Sequence, residues 1–546
     1  MMNEVRDGDR SLSRLLERQL AAVLILVLIF GALYFIGLGR ASLWEMDEAL
    51  YAEIAREMYV SGDYVVPHYN YVPHFEKPPL GFWLTAFSYR IFGVTEFAAR
   101  FFSALFGLAG VVLIYFLIRR SRGPRAALAG AVILGGSFEY AIMATMGLLD
   151  MPVTLFTIMT FFGLHLAVLE GKPRWFLLAG LGAALAVLTK GPAFVLLPGA
   201  ALLVYIAVEE LRGNRVFRRL LTPWLPAAFC LFLILVLPWY AAIYLRLGPA
   251  YFSRNFGYMF SLVTRSVLAH GEPWFYYLLV LPVALLPWTP GLFGGVRLFF
   301  ARSRERAGLL FFAWLAVYFL FFSIARTKLP GYIMPLLPAA AAVAAPWWDA
   351  LMSRGAAGRA RWLLPATLGV IALALLGALL GVRRLVPAYY LPVYRALFFA
   401  PAALGGAGAL LAAILHFCRR MTVVFAGIVL LALVGWVGVL HVFAPLGEPY
   451  RPARAVAEEI IARRRPGEQV IAASLGNYAG LPFYLGERVE VVHLREAARL
   501  IAGKSRVYLA ASPDELRRLA ALLPEEHPPA VLYARGNGVL VSNRGD

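Results

Sequence analysis

The run Leu20-Ala-Ala-Val-Leu-Ile-Leu-Val-Leu-Ile-Phe-Gly-Ala-Leu-Tyr-Phe-Ile-Gly-Leu38, preceded by Arg6, Arg10, Arg14 and Arg18, decides the fold class of this chain. Nineteen apolar residues without a charge are long enough to cross the roughly 30 Å hydrocarbon layer of a bilayer as a helix. The run is too long for the apolar core of a cleavable leader and is expected to stay as a signal anchor. The arginines before it place the amino terminus in the cytoplasm by the positive-inside bias. Working outward, similar runs fall at about 97–118, 125–143, 150–169, 174–189, 191–208, 222–245, 274–294, 307–324, 330–348, 362–381, 395–416 and 421–443. Thirteen spans are therefore predicted, and arginine-rich inner loops such as Arg119–Arg125 and Arg212–Arg219 alternate with outer ones. The chain reads as a polytopic α-helical membrane protein with its carboxyl terminus outside.

Composition agrees with that reading. The 546 residues are 61% hydrophobic, and mean hydropathy is +0.71, far outside the soluble range. A net charge of +19 would suit nucleic acid only if it clustered in one domain, and here it is distributed between apolar runs. Cys230 and Cys418, the two cysteines, lie inside apolar runs and support neither a disulfide framework nor a thiolate metal site. Beyond Phe443, residues 444–546 have ordinary polarity. Short β-branched runs at 469–473, 488–492, 506–510 and 530–533 alternate there with helical stretches near 453–464, 494–502 and 513–523, the pattern of a small α/β domain. Its Gly476-Asn477-Tyr478-Ala479-Gly480 matches neither nucleotide fingerprint, so no nucleotide is expected.

The first outer loop, 39–95, is the unusual part of the 1–443 transmembrane region. Glu48 to Tyr59 has apolar Leu50, Ile54 and Met58 at four-residue spacing, which predicts a short amphipathic helix stopped by Ser61-Gly62-Asp63. Tyr64 to Val72 reads as extended loop, and Pro78 to Phe92 as a second interfacial helix. Asp47, Glu48 and Glu76 on this loop, with Asp150 at the start of a span on the same face, form an acidic centre suited to a general base or a metal. On position alone Asp47 and Asp150 read equally well as helix caps. Lys77, Lys190, Arg254, Arg265, Arg326 and Lys328 are cations on the side that topology keeps poor in them, so an anionic ligand such as a phosphate is expected there. Each alone could equally be a snorkelling side chain. Tyr332 reads as an interfacial anchor or as a hydrogen-bond donor to a phosphate or sugar. His270 is an interfacial hydrogen-bonder or a partner for Glu76 on a metal.

Asp47-Glu-Ala-Leu-Tyr, Phe75-Glu-Lys-Pro-Pro-Leu-Gly-Phe-Trp83, Leu149-Asp-Met-Pro152, Leu188-Thr-Lys-Gly-Pro192 and Lys328-Leu-Pro-Gly-Tyr-Ile-Met-Pro335, in that order, resemble the motifs of the bacterial lipid A aminoarabinose transferases. These undecaprenyl phosphate-aminoarabinose arabinosyltransferases belong to the protein-mannosyltransferase-like GT-C glycosyltransferases, and the resemblance spans roughly residues 40 to 350. It implies transfer of a sugar from a polyprenyl phosphate carrier to lipid A, or to another glycan or protein acceptor, at the periplasmic face of the bacterial inner membrane. It implies that Asp47 and Asp150 are the catalytic acids, with Glu48 beside them. Glu76 and His270 would hold a divalent metal ion (Zn, Mg or Mn), and Lys77 and Tyr332 would lie near the carrier phosphate. The expected partners are the lipid-linked donor, the acceptor and membrane lipids, with the chain acting as a monomer. The pattern departs at Leu50, where the family commonly carries an arginine, and that departure leaves donor and acceptor open. A lipid-linked sugar transporter is the competing class, and it would place its charges and broken helices near mid-membrane in repeated halves.

Overall fold

The computed structural model describes residues 2–44, 46–265, 271–302, 305–354, 369, 421–438, 447–523 and 528–544, and of residues 2–16 and 354 the backbone alone. The long helices among them are α1 (Met2–Phe35), α4 (Glu96–Gly135), α6 (Asp150–Leu164), α7 (Phe176–Lys190), α8 (Ala193–Leu211), α9 (Trp224–Leu247), α13 (Arg306–Ile324), α14 (Leu337–Arg354) and α15 (Met421–Gly438). Between them lie α2 (Asp47–Ser61), α3 (Leu80–Phe92), α5 (Phe138–Ala144), α10 (Pro249–Thr264), α11 (Tyr276–Ala284) and α12 (Thr289–Ala301).

Seven helices among the described residues are long and apolar enough to span a membrane, or eight if the pair α11 and α12, bent by 111°, counts as one broken span. The difference from the thirteen predicted has local causes. The runs at 97–118 and 125–143 are both helical: α4 breaks where Gly123 takes φ 79° ahead of Pro124 and the chain doubles back there, setting Gly130 against Ile118, so the two halves count as one helix only because the break is a single residue long. The run at 174–189 is the 15-residue α7, and the run at 330–348 begins as a 3-10 turn, Pro330–Leu336, before α14. The runs at 362–381 and 395–416 lie outside the described residues.

One feature of the bundle bears directly on the site. Helices α6 and α7 pack through Gly163 and Gly182, and a Cβ on Gly182 would come within 2.7 Å of the Phe156 carbonyl. Small residues permit that approach of backbones. Because α6 begins at Asp150 and the antiparallel α7 ends at Lys190, the pairing brings both residues to one end of the bundle. Charged turns meet at the other end, where Arg120 pairs with Glu170, Arg122 with Glu305, and Arg306 with Glu209.

The site end carries α2, α3, α10 and a small hairpin, β1 (His68–Tyr69) with β2 (Val72–Pro73). Helix α2 ends where expected, on Gly62 in the left-handed conformation. Its surroundings differ from the prediction: Glu53, Arg56 and Glu57, expected on a wet face, are buried together with Ala52, Ile54 and Ala55. The covering layer comes from the C-terminal region. There β3 (Gln469–Ala472), β4 (Glu490–Val491), β5 (Val507–Ala511), β6 (Ala530–Arg535) and β7 (Gly538–Ser542) form a sheet of order β4-β3-β5-β7-β6, parallel over β4-β3-β5 and antiparallel over β5-β7-β6. Four of these strands match expected runs, and β7 was not anticipated. Helices α16 (Pro452–Arg463), α17 (Leu481–Leu485), α18 (Leu494–Ile501) and α19 (Pro513–Ala520) flank the sheet, α19 with a Ser512/Glu515 capping box.

Candidate active site

The chain reaches Asp47 through Met46, whose φ of 72° is unusual for a residue with a side chain and costs on the order of 1–3 kcal/mol. The next residue offsets that strain. Glu48 is 1% exposed and accepts four hydrogen bonds: from Arg100 Nε (2.8 Å) and Nη2 (2.9 Å), from the Trp44 N–H (2.7 Å) and from the Gly147 N–H (2.7 Å). Burial alone would raise its pKa, but Arg100 and the two amides outweigh it and hold the carboxyl below its usual range. Arg100 also donates to the carbonyls of Leu38, Ala41 and Ser42, closing the turn that leads into α2. Glu48, expected as part of the acidic centre, is therefore the anchor of the turn, its oxygens taken up by donors. Asp47 stands exposed at the start of α2, where Met46 occupies the cap position.

The other arm of the loop delivers Glu76 and Lys77. The hairpin β1-β2 turns the chain and Pro78-Pro79 starts α3, so the acid and base leave the backbone at a rigid corner. The Lys77 ammonium lies 3.9 Å from Glu76 and 5.0 Å from the face of Tyr258 on α10. The Tyr258 phenol sits beside Glu76, and burial, with that carboxylate next to it, raises its pKa. Asn255 fixes α10 in this place by donating to the Phe75 carbonyl at 2.7 Å, and Arg254 lies 4.8 Å from the Phe75 ring. Burial lowers the pKa of Lys77; Glu76 opposes that, Lys190 adds to it, and Asp47 and Asp150 oppose it. These five charged groups form one electrostatic cluster.

Asp150 and Lys190 complete it. Their contact is 2.6 Å between side chains that are 13% and 12% exposed, and the Lys190 ammonium is 5.6 Å from the Tyr332 ring. Backbone approach at Gly331 admits Asp150: a Cβ there would stand 3.5 Å from its Oδ1. The cap expected of Asp150 gives way to an ion pair, with Leu149 in the cap position. The arrangement gives two ammonium groups, two tyrosine hydroxyls and three carboxylates around the start of α2, a set able to hold an anion beside a proton acceptor.

The sequence profile of the dolichyl-phosphate-mannose-protein mannosyltransferase family matches residues 76–241, which include Glu76, Lys77, Asp150 and Lys190. The undecaprenyl phosphate-alpha-4-amino-4-deoxy-L-arabinose arabinosyl transferase of Pseudomonas aeruginosa (strain UCBPP-PA14) is 33% identical over 326 residues, 58% of each chain. The Aeromonas salmonicida transferase of the same name is 34% identical over 65% of each chain. The matched part thus spans about three fifths of the length of these curated relatives. The crystal structure of ArnT from Cupriavidus metallidurans bound to undecaprenyl phosphate superposes with a TM-score of 0.79 at 26% identity, over 96% of this chain and 98% of that one. The chain has the polytopic helical GT-C fold of that ArnT structure. An oligosaccharyltransferase from Archaeoglobus fulgidus, at 12% identity and a TM-score of 0.53, shares the fold alone.

The remaining expected residues divide between rim and scaffold. Arg265 and Arg326 are exposed where the loop before Pro330 pairs with the end of α10, through Arg326 N–H to Val263 O and Thr327 N–H to Leu262 O, both 3.0 Å. Lys328, expected at a phosphate, is 3% exposed and donates to the carbonyls of Glu272 (3.0 Å) and Ala325 (2.5 Å), so it latches that loop. His270 lies outside the described residues. Among the described residues no three His, Cys, Asp or Glu side chains gather to hold a metal ion, and Glu76 is engaged by Tyr258 and Lys77. Leu50, where the family pattern has arginine, packs with Tyr69, Trp83 and Tyr484 around the buried core of α2 and α3. Tyr258 is a site residue that sequence reasoning missed. Its signal was the division of α10 between exposed Phe256 and Phe260 on one face and buried Asn255 near Tyr258 on another.

Proposed function

We propose that this chain transfers aminoarabinose from undecaprenyl phosphate to lipid A at the periplasmic face of the bacterial inner membrane. The observation that carries the reading is the convergence of Asp47, Glu76-Lys77 and the Asp150–Lys190 pair at one end of the helical bundle. The likeness to the undecaprenyl phosphate-bound ArnT structure supports the donor, and the names of the arabinosyl transferases support the sugar. Lys77 and Lys190, with the hydroxyls of Tyr258 and Tyr332, hold the donor phosphate. As the bond between the sugar's anomeric carbon and the phosphate oxygen breaks, charge gathers on that oxygen, and the two largely buried ammonium groups stabilise it. Asp47 takes the proton of the acceptor O–H, a hydroxyl or a monoanionic phosphate, as that oxygen bonds to the anomeric carbon and undecaprenyl phosphate leaves. Asp150 holds Lys190 in position. A transporter is disfavoured because these charges stand at helix ends: Asp150 opens α6 and Lys190 closes α7.

The test is sugar transfer in membranes supplied with labelled undecaprenyl phosphate-aminoarabinose. Asp47→Asn is expected to lower the rate more than about 100-fold with expression intact, the size of a lost proton acceptor. Full activity in that variant overturns the assignment. The divalent ion expected at Glu76 and His270 plays no part in these steps. Loss of transfer on chelation and in His270→Ala, restored to the wild type by added metal, would assign it, and unchanged rates would remove it.

A further inference from the structure

The C-terminal α/β region grips the catalytic loop at two points, one just before each of its reactive arms. At the first, the Ser42 N–H and hydroxyl donate to Glu448 (3.0 and 2.7 Å) and the Leu43 N–H donates to the Tyr484 hydroxyl (2.9 Å). Arg451 donates to the Ser42 carbonyl (3.2 Å) and lies 4.5 Å from the Trp44 ring. Asp47 follows directly. At the second, Asn70 at the tip of the hairpin forms a reciprocal pair with Val489, Nδ2 to the carbonyl at 2.8 Å and N–H to Oδ1 at 2.9 Å, while the Tyr69 hydroxyl donates to the Ala479 carbonyl (3.1 Å). Glu76 and Lys77 follow from there.

The hairpin tip shows how much depends on the second grip. Asn70 and Tyr71 both take positive φ, 53° and 62°, a conformation unfavourable to a bulky residue such as tyrosine. Asn70 is 8% exposed with both its polar atoms satisfied by the backbone of Val489, and the Tyr71 N–H is held by both oxygens of Glu57 at 3.1 and 3.0 Å. Between the two grips, Ala479 and Phe483 enter the same apolar cluster as Leu43, Ala49, Ile54 and Phe82. A reactive group has to be held within roughly 0.5 Å of its working place, which a long loop over a membrane does not achieve unaided.

We propose that the C-terminal region is the positioning element of the site, with Tyr484 registering the Asp47 arm and Asn70 registering the Lys77 arm against one rigid sheet. The proposal rests on the functional reading above, in which Lys77 holds the donor phosphate and Asp47 the acceptor. It follows that the two grips have different kinetic signatures. Asn70→Gly keeps the left-handed turn but loses the pair with Val489. Tyr484→Phe keeps the ring and loses the hydroxyl.

The experiment measures transfer by the full-length chain in detergent, with melting temperature alongside. Asn70→Gly is expected to raise the donor KM about fivefold to tenfold with kcat within about twofold, and Tyr484→Phe to lower kcat about fivefold at unchanged donor KM. Both should melt within about 4 °C of the wild type. Any other pattern overturns the proposal, including unchanged kinetics in both variants or parallel losses that follow a fall in melting temperature. Wild-type protein that transfers no sugar from the labelled donor overturns the underlying functional reading instead, as does a Lys77→Ala variant with unchanged donor KM.

Discussion

Tyr258 and His74 both neighbour a single lysine, Lys77. The Tyr258 phenol lies beside both groups, its hydroxyl close enough to Glu76 to interact with it and its ring 5.0 Å from the Lys77 ammonium, which stands 3.9 Å from the acid; we propose that the hydroxyl holds Glu76 back from Lys77. Tyr258→Phe should retain the ring contact and free Glu76 to close on Lys77. The donor KM is then expected to rise about fivefold, the worth of one hydrogen bond, with the protein's melting temperature unmoved. His74 works from the buried side. Burial, with the Lys77 charge beside it, lowers its pKa from 6.5 to about 3, so it is neutral in the folded protein. The unfolded chain therefore binds a proton that the folded one refuses between those values, and folded stability falls as pH drops from about 6.5 toward 3. Melting curves across that range should show the fall, and His74→Gln should flatten it. A variant as steep as the wild type would place the acid sensitivity elsewhere.

Helix α2 is where sequence and structure differ most instructively. Its extent, its stop at Gly62 and the helix after Pro78-Pro79 were all legible, because glycine and proline act locally. So was the grouping of Asp47, Glu76, Lys77, Asp150 and Lys190, because each belonged to a polar motif at the edge of an apolar run. The partners of α2 were not legible. Periodicity marks a polar face but does not say whether water or protein meets it, and here Glu57 meets the Tyr71 N–H of the hairpin, while Arg56, paired with Glu53, meets the Gly486 carbonyl of the C-terminal region. Nor does position distinguish Asp47 from Glu48: neighbours in sequence, one is exposed and the other buried on Arg100, a residue 52 positions away. That distinction predicts opposite phenotypes. Asp47→Asn should fold normally and lose transfer. Glu48→Ala leaves the Arg100 charge buried and the Met46 turn unsupported, a loss of about 3–5 kcal/mol that should appear as failure to accumulate or a large drop in melting temperature. A Glu48→Ala protein of normal stability but low activity would return Glu48 to the catalytic group.

Over the whole molecule, the short turns between the helices at the end opposite the site are rich in arginine. The turns that meet opposite the site carry Arg120, Arg122, Arg219 and Arg306, and these are tied to Glu170, Glu305, the Val168 and Leu169 carbonyls, and Glu209. At the site end Arg56 and Arg100 are buried against Glu53 and Glu48, Lys77 and Lys190 belong to the acidic cluster, and Arg451 and Arg454 of the C-terminal region pair with Glu448 and Glu96. Arginine-rich turns favour the cytoplasmic side of bacterial membranes, so we propose that the site end, with the C-terminal region on it, faces the periplasm. The assignment is open to chemistry from outside the cell. In a background of Cys230→Ser and Cys418→Ser, Ser61→Cys on the exposed end of α2 should react with a membrane-impermeant maleimide in cells whose outer membrane alone has been opened. Arg218→Cys, exposed on the arginine-rich turn, should react only after the inner membrane is also broken. The reverse order would invert the protein in the membrane and put a lipid-linked donor of the periplasmic leaflet out of reach of Lys77. Equal labelling of both positions before lysis would mean that the bundle does not separate the two ends.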